Sequence, residues 1–209
     1  MPWPKDHKSE TRERILQAAA GAFRARGVSG VRVEEIMASA GLTHGGFYSH
    51  FASKDDLLGE ALEHAAAQTT ESFSKSLDSV PPEHRLGAMI EAYLSSGHAA
   101  HPDRGCPVAA LGPELVRAGK KTRERLARAV RRRIEWMRTL VPPQKSENVP
   151  EASLIGATAC MIGGLILARS VHTKDSDAIL QACREFLRGA LRVDSSDASG
   201  LPQERWPSG

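Results

Sequence analysis

The stretch AGLTHGGFYSHFASKDDL, residues 40–57, decides how the rest of this sequence is interpreted. Two adjacent glycines, Gly45 and Gly46, stand at the start of a segment that otherwise has helical character. Glycine inside a helix costs about 1 kcal/mol relative to alanine. The pair therefore suggests that side chains at these positions would obstruct a molecule that comes close to the backbone.

The residues around the glycine pair predict two short helices joined by a tight turn. We expect helices over residues 33–40 and 43–51, with Gly41 in the turn and Thr43 as the cap of the second helix. In a helix-turn-helix, the second helix enters the major groove of DNA with its N-terminus leading. Glycines there let backbone amides approach a phosphate or a base edge. The alternative is a small packing unit with a glycine-softened turn.

Helical periodicity covers nearly the whole chain, which predicts an all-α fold. A long first helix is expected to begin at a cap, Ser9 or Thr11, and to end at Gly27. A second long helix is expected to begin at the Ser53 cap and to extend to the break at Pro81. Four or five further helices predict a larger bundle behind a compact N-terminal three-helix unit.

Composition is that of an ordinary globular chain of 209 residues, with 41% hydrophobic and 25% charged residues. The polar N-terminus has no secretory apolar run. Three cysteines, an odd number, argue against a disulfide framework, so we expect a cytoplasmic protein. The long uncharged stretch over residues 152–168 is short for a membrane span of about 20 residues, and we expect a buried or dimer-forming helix instead.

Bulk charge gives no indication of nucleic-acid binding, because residues 1–60 carry eight basic and eight acidic residues. The order of motifs is more informative. Residues 11–58, TRERILQAAAGAFRARGVSGVRVEEIMASAGLTHGGFYSHFASKDDLL, resemble the TetR family of bacterial transcriptional regulators over roughly a quarter of the chain. The resemblance implies an Ω-shaped homodimer, with DNA-binding heads on a helical, ligand-binding body.

The resemblance also implies which residues line the DNA interface: Thr43, His44, Gly45, Gly46, Tyr48, His50 and Lys54. Phe47 and Phe51 are four residues apart and are expected to face the core. Arg32 departs from the family pattern, which usually has Ser or Thr there as helix cap and phosphate contact. Arginine caps a helix less well, but its guanidinium reaches a phosphate, so we include Arg32 as a DNA-backbone contact.

With the resemblance, the chain divides into four parts. We expect a flexible arm over residues 1–8 and a helix-turn-helix DNA-binding domain over residues 9–56. Residues 57–193 are expected to form an effector-binding and dimerisation domain. Residues 194–209, DSSDASGLPQERWPSG, have the composition of a disordered tail.

The body resembles one branch of the family in a single stretch. Residues 101–115, HPDRGCPVAALGPEL, are similar to the branch that includes the N-ethylmaleimide-sensing repressor, whose cysteine responds to electrophiles and oxidants. This makes Cys106 a candidate sensor, with Lys174 as a cationic partner by analogy. A helix N-terminus near Arg104 would favour the thiolate. Alternatively, Cys106 is a small apolar residue at a tight helix start.

The residues His98, His101 and Cys106 also contain nitrogen and sulfur ligands suited to zinc. Their spacing matches no dense ligand cluster, so we predict neither a metal nor a cofactor. An enzyme on a helical bundle would have to use these three residues with Glu114, an order that fits no catalytic arrangement we can defend.

Two further features lie in the body. Residues 117–138 carry ten basic and two acidic residues, which indicates either a solvated helix face or an anion-attracting surface. Trp136 in this run is expected at the edge of an effector pocket. The last two helices are rich in small and apolar residues, and would form either a four-helix interface with a second subunit or intrachain core.

The sequence therefore predicts a ligand-responsive DNA-binding regulator. We expect a repressor that a small molecule or an electrophile releases from double-stranded DNA near its own gene. We expect it to be a homodimer through its last two helices, without enzymatic activity and without membrane attachment. The alternatives are a small-molecule enzyme and a helical adaptor whose DNA-binding head is not functional.

Overall fold

The computed structural model of the chain describes residues 5–142 and 149–192, and the regular elements in these ranges are all helical. The predicted all-α class, with a helix-turn-helix unit in front of a helical bundle, is confirmed. The predicted disordered tail and the first four residues of the predicted arm lie outside the described residues.

The helices follow one another along the chain with short connections. The α-helices are α1 (Lys5–Arg26), α2 (Val33–Ser39), α3 (Lys54–Ser76), α4 (Arg85–Tyr93), α5 (Ser96–Ala100), α6 (Pro107–Leu115), α7 (Lys120–Thr139), α8 (Glu151–Ser170) and α9 (Thr173–Leu191). Two 3₁₀-helices, His44–Ser49 and Pro82–His84, precede α3 and α4 respectively.

The start of α1 differs from the prediction. The helix begins at Lys5, so Ser9 and Thr11 lie within it, and the predicted cap at either residue is wrong. Its end agrees with the prediction, because Gly27 has a φ of +75°, which ends the helix in the left-handed region that glycine adopts without strain. Gly41 has a φ of +68° in the turn after α2.

Helix α3 begins as the sequence predicts and ends earlier. The Ser53 hydroxyl accepts a hydrogen bond from the Asp56 N–H at 3.1 Å, so Ser53 is the N-cap. The helix ends at Ser76 instead of continuing to Pro81. This 23-residue helix runs from the head into the body and contributes to the cores of both.

The head core lies among α1, α2, the 3₁₀-helix His44–Ser49 and the first half of α3. Phe47 and Phe51 are 1% and 2% exposed, which confirms that they face the core. Two residues from much later in the chain, Leu111 and Leu115 of α6, complete the same cluster. The head therefore shares its hydrophobic core with a helix of the body.

The body core lies among α4, α7, α8 and α9. Its larger members are Met89, Ile90, Tyr93, Leu94, Met137, Leu154, Met161, Leu165, Leu180 and Leu187. Among the described residues, α8 is the one helix long and apolar enough to cross a membrane by length and composition. It supplies Leu154, Met161 and Leu165 to the body core, so the buried-helix interpretation accounts for its composition.

Part of the basic run packs against an acidic face of α3. Arg125 lies 2.9 Å from Glu63 and 3.3 Å from Glu60, and Arg128 and Arg132 lie 3.3 and 3.1 Å from Glu63. Burial opposes the ionisation of Glu63, but hydrogen bonds from Arg125 and Arg132 lower the pKa of its carboxyl. These arginines therefore join α7 to α3, a role that neither sequence interpretation of the run included.

Candidate DNA interface and effector pocket

The second element of the helix-turn-helix is a 3₁₀-helix, His44–Ser49, and not the α-helix that the sequence predicts over residues 43–51. Two glycines in six residues weaken an α-helix, and 3₁₀-helices are typical of short connecting segments. The Ser49 hydroxyl donates to the Gly46 carbonyl at 2.6 Å and helps to close this element. Thr43 occupies the N-cap position, but its side chain makes no capping hydrogen bond, so its predicted capping role is wrong.

The face of this element that points away from Phe47 is exposed. Thr43, His44 and Gly45 are exposed, and Tyr48 is 70% exposed. The Tyr48 ring stands edge-on to the buried Phe47 ring, with 5.2 Å between the ring centroids. The buried phenylalanine thus supports an exposed tyrosine whose hydroxyl is available to a partner.

The glycine pair is not required by packing within the described part of the chain. A Cβ atom added at Gly45 would meet no described heavy atom within 4 Å. At Gly46 it would lie 3.7 Å from the Met37 methyl group, which is ordinary van der Waals contact. Neither glycine has a positive φ, unlike Gly27 and Gly41. The open space at Gly45 therefore supports the interpretation that the backbone there meets another molecule.

Arg32 immediately precedes α2, and its side chain is 77% exposed. Glu35 compensates for the weak capping by arginine, because its carboxylate accepts from the Arg32 N–H at 3.1 Å. That hydrogen bond is the main cause that lowers the pKa of Glu35. The guanidinium of Arg32 also pairs with the Glu35 carboxylate at 3.4 Å, and it lies at the surface, where a phosphate can reach it.

His50 and Lys54 are less exposed than the sequence suggests. His50 is half-buried, and its Nδ1 atom is buried without a hydrogen-bond partner among the described residues. Burial, and then the charges of Lys8 and Arg12, lower the pKa of His50. The Lys54 ammonium donates to the carbonyls of Val28 and Val31, so it holds the loop between α1 and α2. Phosphate contacts from both residues stay predictions.

The body contains a cavity of about 420 Å³ among α3, α4, α6, α7 and α8. Its walls are mainly apolar or carry small hydroxyl groups, and they include Ala66, Ala67, Thr70, Val108, Val130, Met161 and Ile162. Tyr93, Cys106 and Arg133 also line it. Trp136 is not among the lining residues; its ring lies against Arg133, with 4.6 Å from the guanidinium carbon to the ring.

Cys106 lies at the N-cap of α6, as the sequence predicts, and a buried histidine fixes its backbone. The Cys106 N–H donates to Nε2 of His98 at 3.0 Å. His98 must therefore carry its proton on Nδ1, which donates to the Tyr93 carbonyl at 2.7 Å. Burial lowers the pKa of His98 well below its usual value. With both ring nitrogens engaged, His98 is poorly placed to bind a metal or to act as a base.

The cations near Cys106 differ from the predicted partner. Arg24, Arg133 and Arg169 interact electrostatically with the thiol group. Lys174 is exposed in the first turn of α9. Among the described residues, no group of three or more His, Cys, Asp or Glu side chains is arranged to hold a metal ion.

Helix α6 connects the cavity to the head, a link that sequence reasoning missed. At its C-terminal end the Glu114 carboxylate accepts from the N–H groups of Val28 at 2.8 Å and Ser29 at 3.3 Å. Near its start, the Arg24 guanidinium of α1 donates to the Gly105 carbonyl at 3.0 Å. The sequence points to Glu114 only as a member of a possible catalytic set, and nothing local in it indicates a partner 86 residues away.

Residues 15–61, which contain the helix-turn-helix, match the model of the family of bacterial regulatory proteins named tetR. This part of the chain is thus a DNA-binding head of the TetR type. The repressor DhaR of a Mycobacterium species is 28% identical over 123 residues, which cover 58% of this chain and 60% of that protein. The regulator TtgR of Pseudomonas putida is 34% identical over 90 residues, or 43% and 42% of the two chains. The matches thus span about half the length of these relatives.

Solved structures of the family resemble nearly the whole chain. A TetR transcriptional regulator from Chloroflexus aurantiacus superposes with a TM-score of 0.70 at 26% identity, over 90% of this chain and 96% of that one. The reduced form of NemR from E. coli superposes with a TM-score of 0.73 over 89% of this chain and 99% of that one, at 20% identity. The likeness to NemR is a likeness of fold, and it covers head and body together.

Proposed function

We propose that the chain is a ligand-responsive transcriptional repressor that binds operator DNA near its own gene as a cytoplasmic homodimer. The observation that carries the proposal is the exposed face of His44–Ser49, where Gly45 leaves the backbone open. On this proposal the amides of that element approach a phosphate or a base edge, and Thr43, Tyr48 and Arg32 contact the DNA backbone. Such contacts fix register, and base-edge contacts supply sequence preference.

Dimerisation is proposed through α8 and α9, which carry exposed apolar stripes in the single chain. On α8, Ile155, Ala159 and Leu167 are exposed at helical spacing, and on α9, Ala178, Ala182, Phe186 and Ala190 are exposed four residues apart. Phe186 is the most exposed of the large residues in these stripes, at 65%. Burial of these stripes in a four-helix interface would place two heads on half-sites about 34 Å apart, or a multiple of this.

Release from DNA is proposed to occur through α6. An effector in the cavity contacts Cys106 and Val108 at the start of this helix, whereas Glu114 at its end holds the amides of Val28 and Ser29 in the head. A shift of α6 would therefore change the position of the head relative to the body. The effector can act only if it binds the DNA-incompetent arrangement more tightly.

An electrophile is a second class of effector, because Cys106 lines the cavity. The enzyme alternative has less support, since Glu114 contacts the head at the opposite end of α6 from Cys106 and both ring nitrogens of His98 are engaged. The adaptor alternative would leave the open face of His44–Ser49 without a role.

The test is a titration of labelled DNA from the region that flanks the gene, at two salt concentrations and with unrelated competitor DNA. We expect binding that resists competitor and weakens with salt, because phosphate contacts release counterions. Tyr48→Ala should weaken this binding, and Val116→Ala, at an exposed apolar residue of the body, should not. Equal competition by unrelated DNA for every genomic fragment tried would overturn the proposal.

A further inference from the structure

We propose that the body cavity binds a monocarboxylic acid with an apolar body, and that Arg133 and Tyr93 receive its carboxylate. The inference deepens the proposed function, on which it rests, because it names the chemical class of the effector. It depends on two polar groups that line the cavity and lack a suitable partner in the described part of the chain.

The first group is the guanidinium of Arg133. Its central carbon lies 5.2 Å from the Phe73 ring centroid, 5.4 Å from that of Tyr93 and 4.6 Å from that of Trp136. Its hydrogen bond goes to the sulfur of Met89, a weak acceptor, at 3.7 Å. No carboxylate of the described residues lies within ion-pair distance of it, although Arg132, its neighbour on α7, pairs with Glu63 at 3.1 Å.

Arg133 is half-buried, and burial lowers the pKa of its guanidinium, as expected of a cation partly withdrawn from water without an anion beside it. Buried charges in proteins are normally paired. The three aromatic rings offset this only in part, because cation–π contacts are weaker than a charge-assisted hydrogen bond. An anion in the cavity would therefore supply the partner that the described residues lack.

The second group is the hydroxyl of Tyr93. The residue is 2% exposed and lines the cavity, and its buried hydroxyl has no oxygen or nitrogen partner in residues 5–142 and 149–192; its polar neighbour is the Cys106 thiol, a weak hydrogen-bonding group. Burial, followed by the nearby Cys106 thiol, raises the pKa of Tyr93 well above its usual value, so the hydroxyl keeps its proton and is a donor. Its ring lies beside the Arg133 guanidinium. Both donors can therefore form hydrogen bonds to the same small group of a ligand.

The charges around this end of the cavity favour an anion. Arg169 is half-buried, its charge acts on Tyr93, and its Nη1 atom is buried without a partner among the described residues. The acid on the cavity wall, Glu71, has a side chain that is 65% exposed and pairs with Lys75 at 2.7 Å. It is therefore engaged at the surface and does not neutralise Arg133.

The number of donors selects a carboxylate among anions. One guanidinium binds the two oxygens of a carboxylate side by side, and one hydroxyl adds a third hydrogen bond. Apart from Glu71 and Arg132, which are paired with Lys75 and Glu63, the remaining walls are apolar or weakly polar, which suits a hydrocarbon or aromatic body. A volume of about 420 Å³ lies within the range of pockets that hold small organic ligands.

Calorimetry on the full chain without DNA tests the proposal. The probes are benzoate, 2-naphthoate and decanoate, each compared with its uncharged amide. We expect at least one acid to bind about tenfold or more tightly than its amide, since hydrogen bonds to charged groups are the strong ones. Arg133→Met should remove this preference, Tyr93→Phe should reduce it, and Arg131→Gln, at an exposed site on the same helix, should leave it unchanged.

Circular dichroism and thermal unfolding of each variant show whether it is folded. If Arg133→Met does not fold, the test rests on Tyr93→Phe, which removes only one oxygen atom from a buried ring. The proposal is overturned if none of the acids binds at millimolar concentration, if the amides bind as well as the acids, or if folded variants keep the preference. Release of operator DNA is measured separately, so that acid binding without release contradicts the proposed regulation and leaves the pocket chemistry supported.

Discussion

Replacement of Gly45 by alanine should separate DNA binding from folding in the head. A Cβ at this position meets open space in the described structure, so the folded state accepts it. Alanine also restricts the unfolded chain, and we expect the free energy of unfolding to rise by roughly 0.4–1 kcal/mol. On the DNA side the same methyl group stands where the backbone is proposed to meet a phosphate. Loss of one amide–phosphate hydrogen bond costs about 1.5–3 kcal/mol, or roughly 10- to 150-fold in affinity per half-site.

Urea denaturation measures the first effect, and fluorescence anisotropy with labelled operator DNA measures the second. Gly21→Ala is the matched control, because Gly21 lies within α1 and an added Cβ there also meets no described atom within 4 Å. It should raise stability without weakening DNA binding. The reasoning is refuted if Gly45→Ala binds operator as tightly as the unchanged protein, or if it destabilises the fold.

Three further outcomes follow from the described contacts. Arg32→Gln should weaken binding to specific and unrelated DNA alike, and should reduce the slope of log affinity against log salt by about 1; an unchanged slope would contradict a phosphate contact. Glu114→Gln weakens the hydrogen bonds from the N–H groups of Val28 and Ser29. The coupling free energy between acid binding and operator binding, typically about 1–3 kcal/mol, should fall by at least half in this variant. The lowered pKa of His98 means that the folded state binds fewer protons than the unfolded state. The stability that neutral His98 contributes is therefore fully present above about pH 6.5 and is lost as the pH falls, by up to about 1.4 kcal/mol per pH unit. Urea midpoints at pH 7.5 and 5.5 should show this loss, and His98→Gln should reduce it.

The fold and the face of the head could be predicted from the sequence because both depend on local patterns. The phenylalanines four residues apart, the Ser53 cap and the glycine turns act within a few residues, so their spacing is sufficient. The 3₁₀ form of His44–Ser49 was missed because its periodicity over six residues is hard to distinguish from that of an α-helix.

The contacts of the candidate site that could not be predicted join distant parts of the chain. In the sequence Arg133 is one of ten cations in a basic run. Only the packing of α3 and α4 against α7 shows that it lies among aromatic rings while its neighbour Arg132 pairs with an acid. Lys54 was expected to bind a phosphate, and its place on two loop carbonyls depends on how α1 meets α3. Charge counts along the sequence carry no information about such pairings.

Leu111 and Leu115 of α6 complete the head core. This restricts which heads and bodies can be exchanged between related genes by recombination. A chimaera that joins this head, at the start of α3, to the body of another protein would lose both leucines. Their loss would leave a cavity in the core of the head. Each lost leucine is comparable to a large-to-small core substitution, which costs about 2–5 kcal/mol. A working exchange would have to carry α6 along with the head, so the inherited unit is two separated segments of the gene and not one contiguous block.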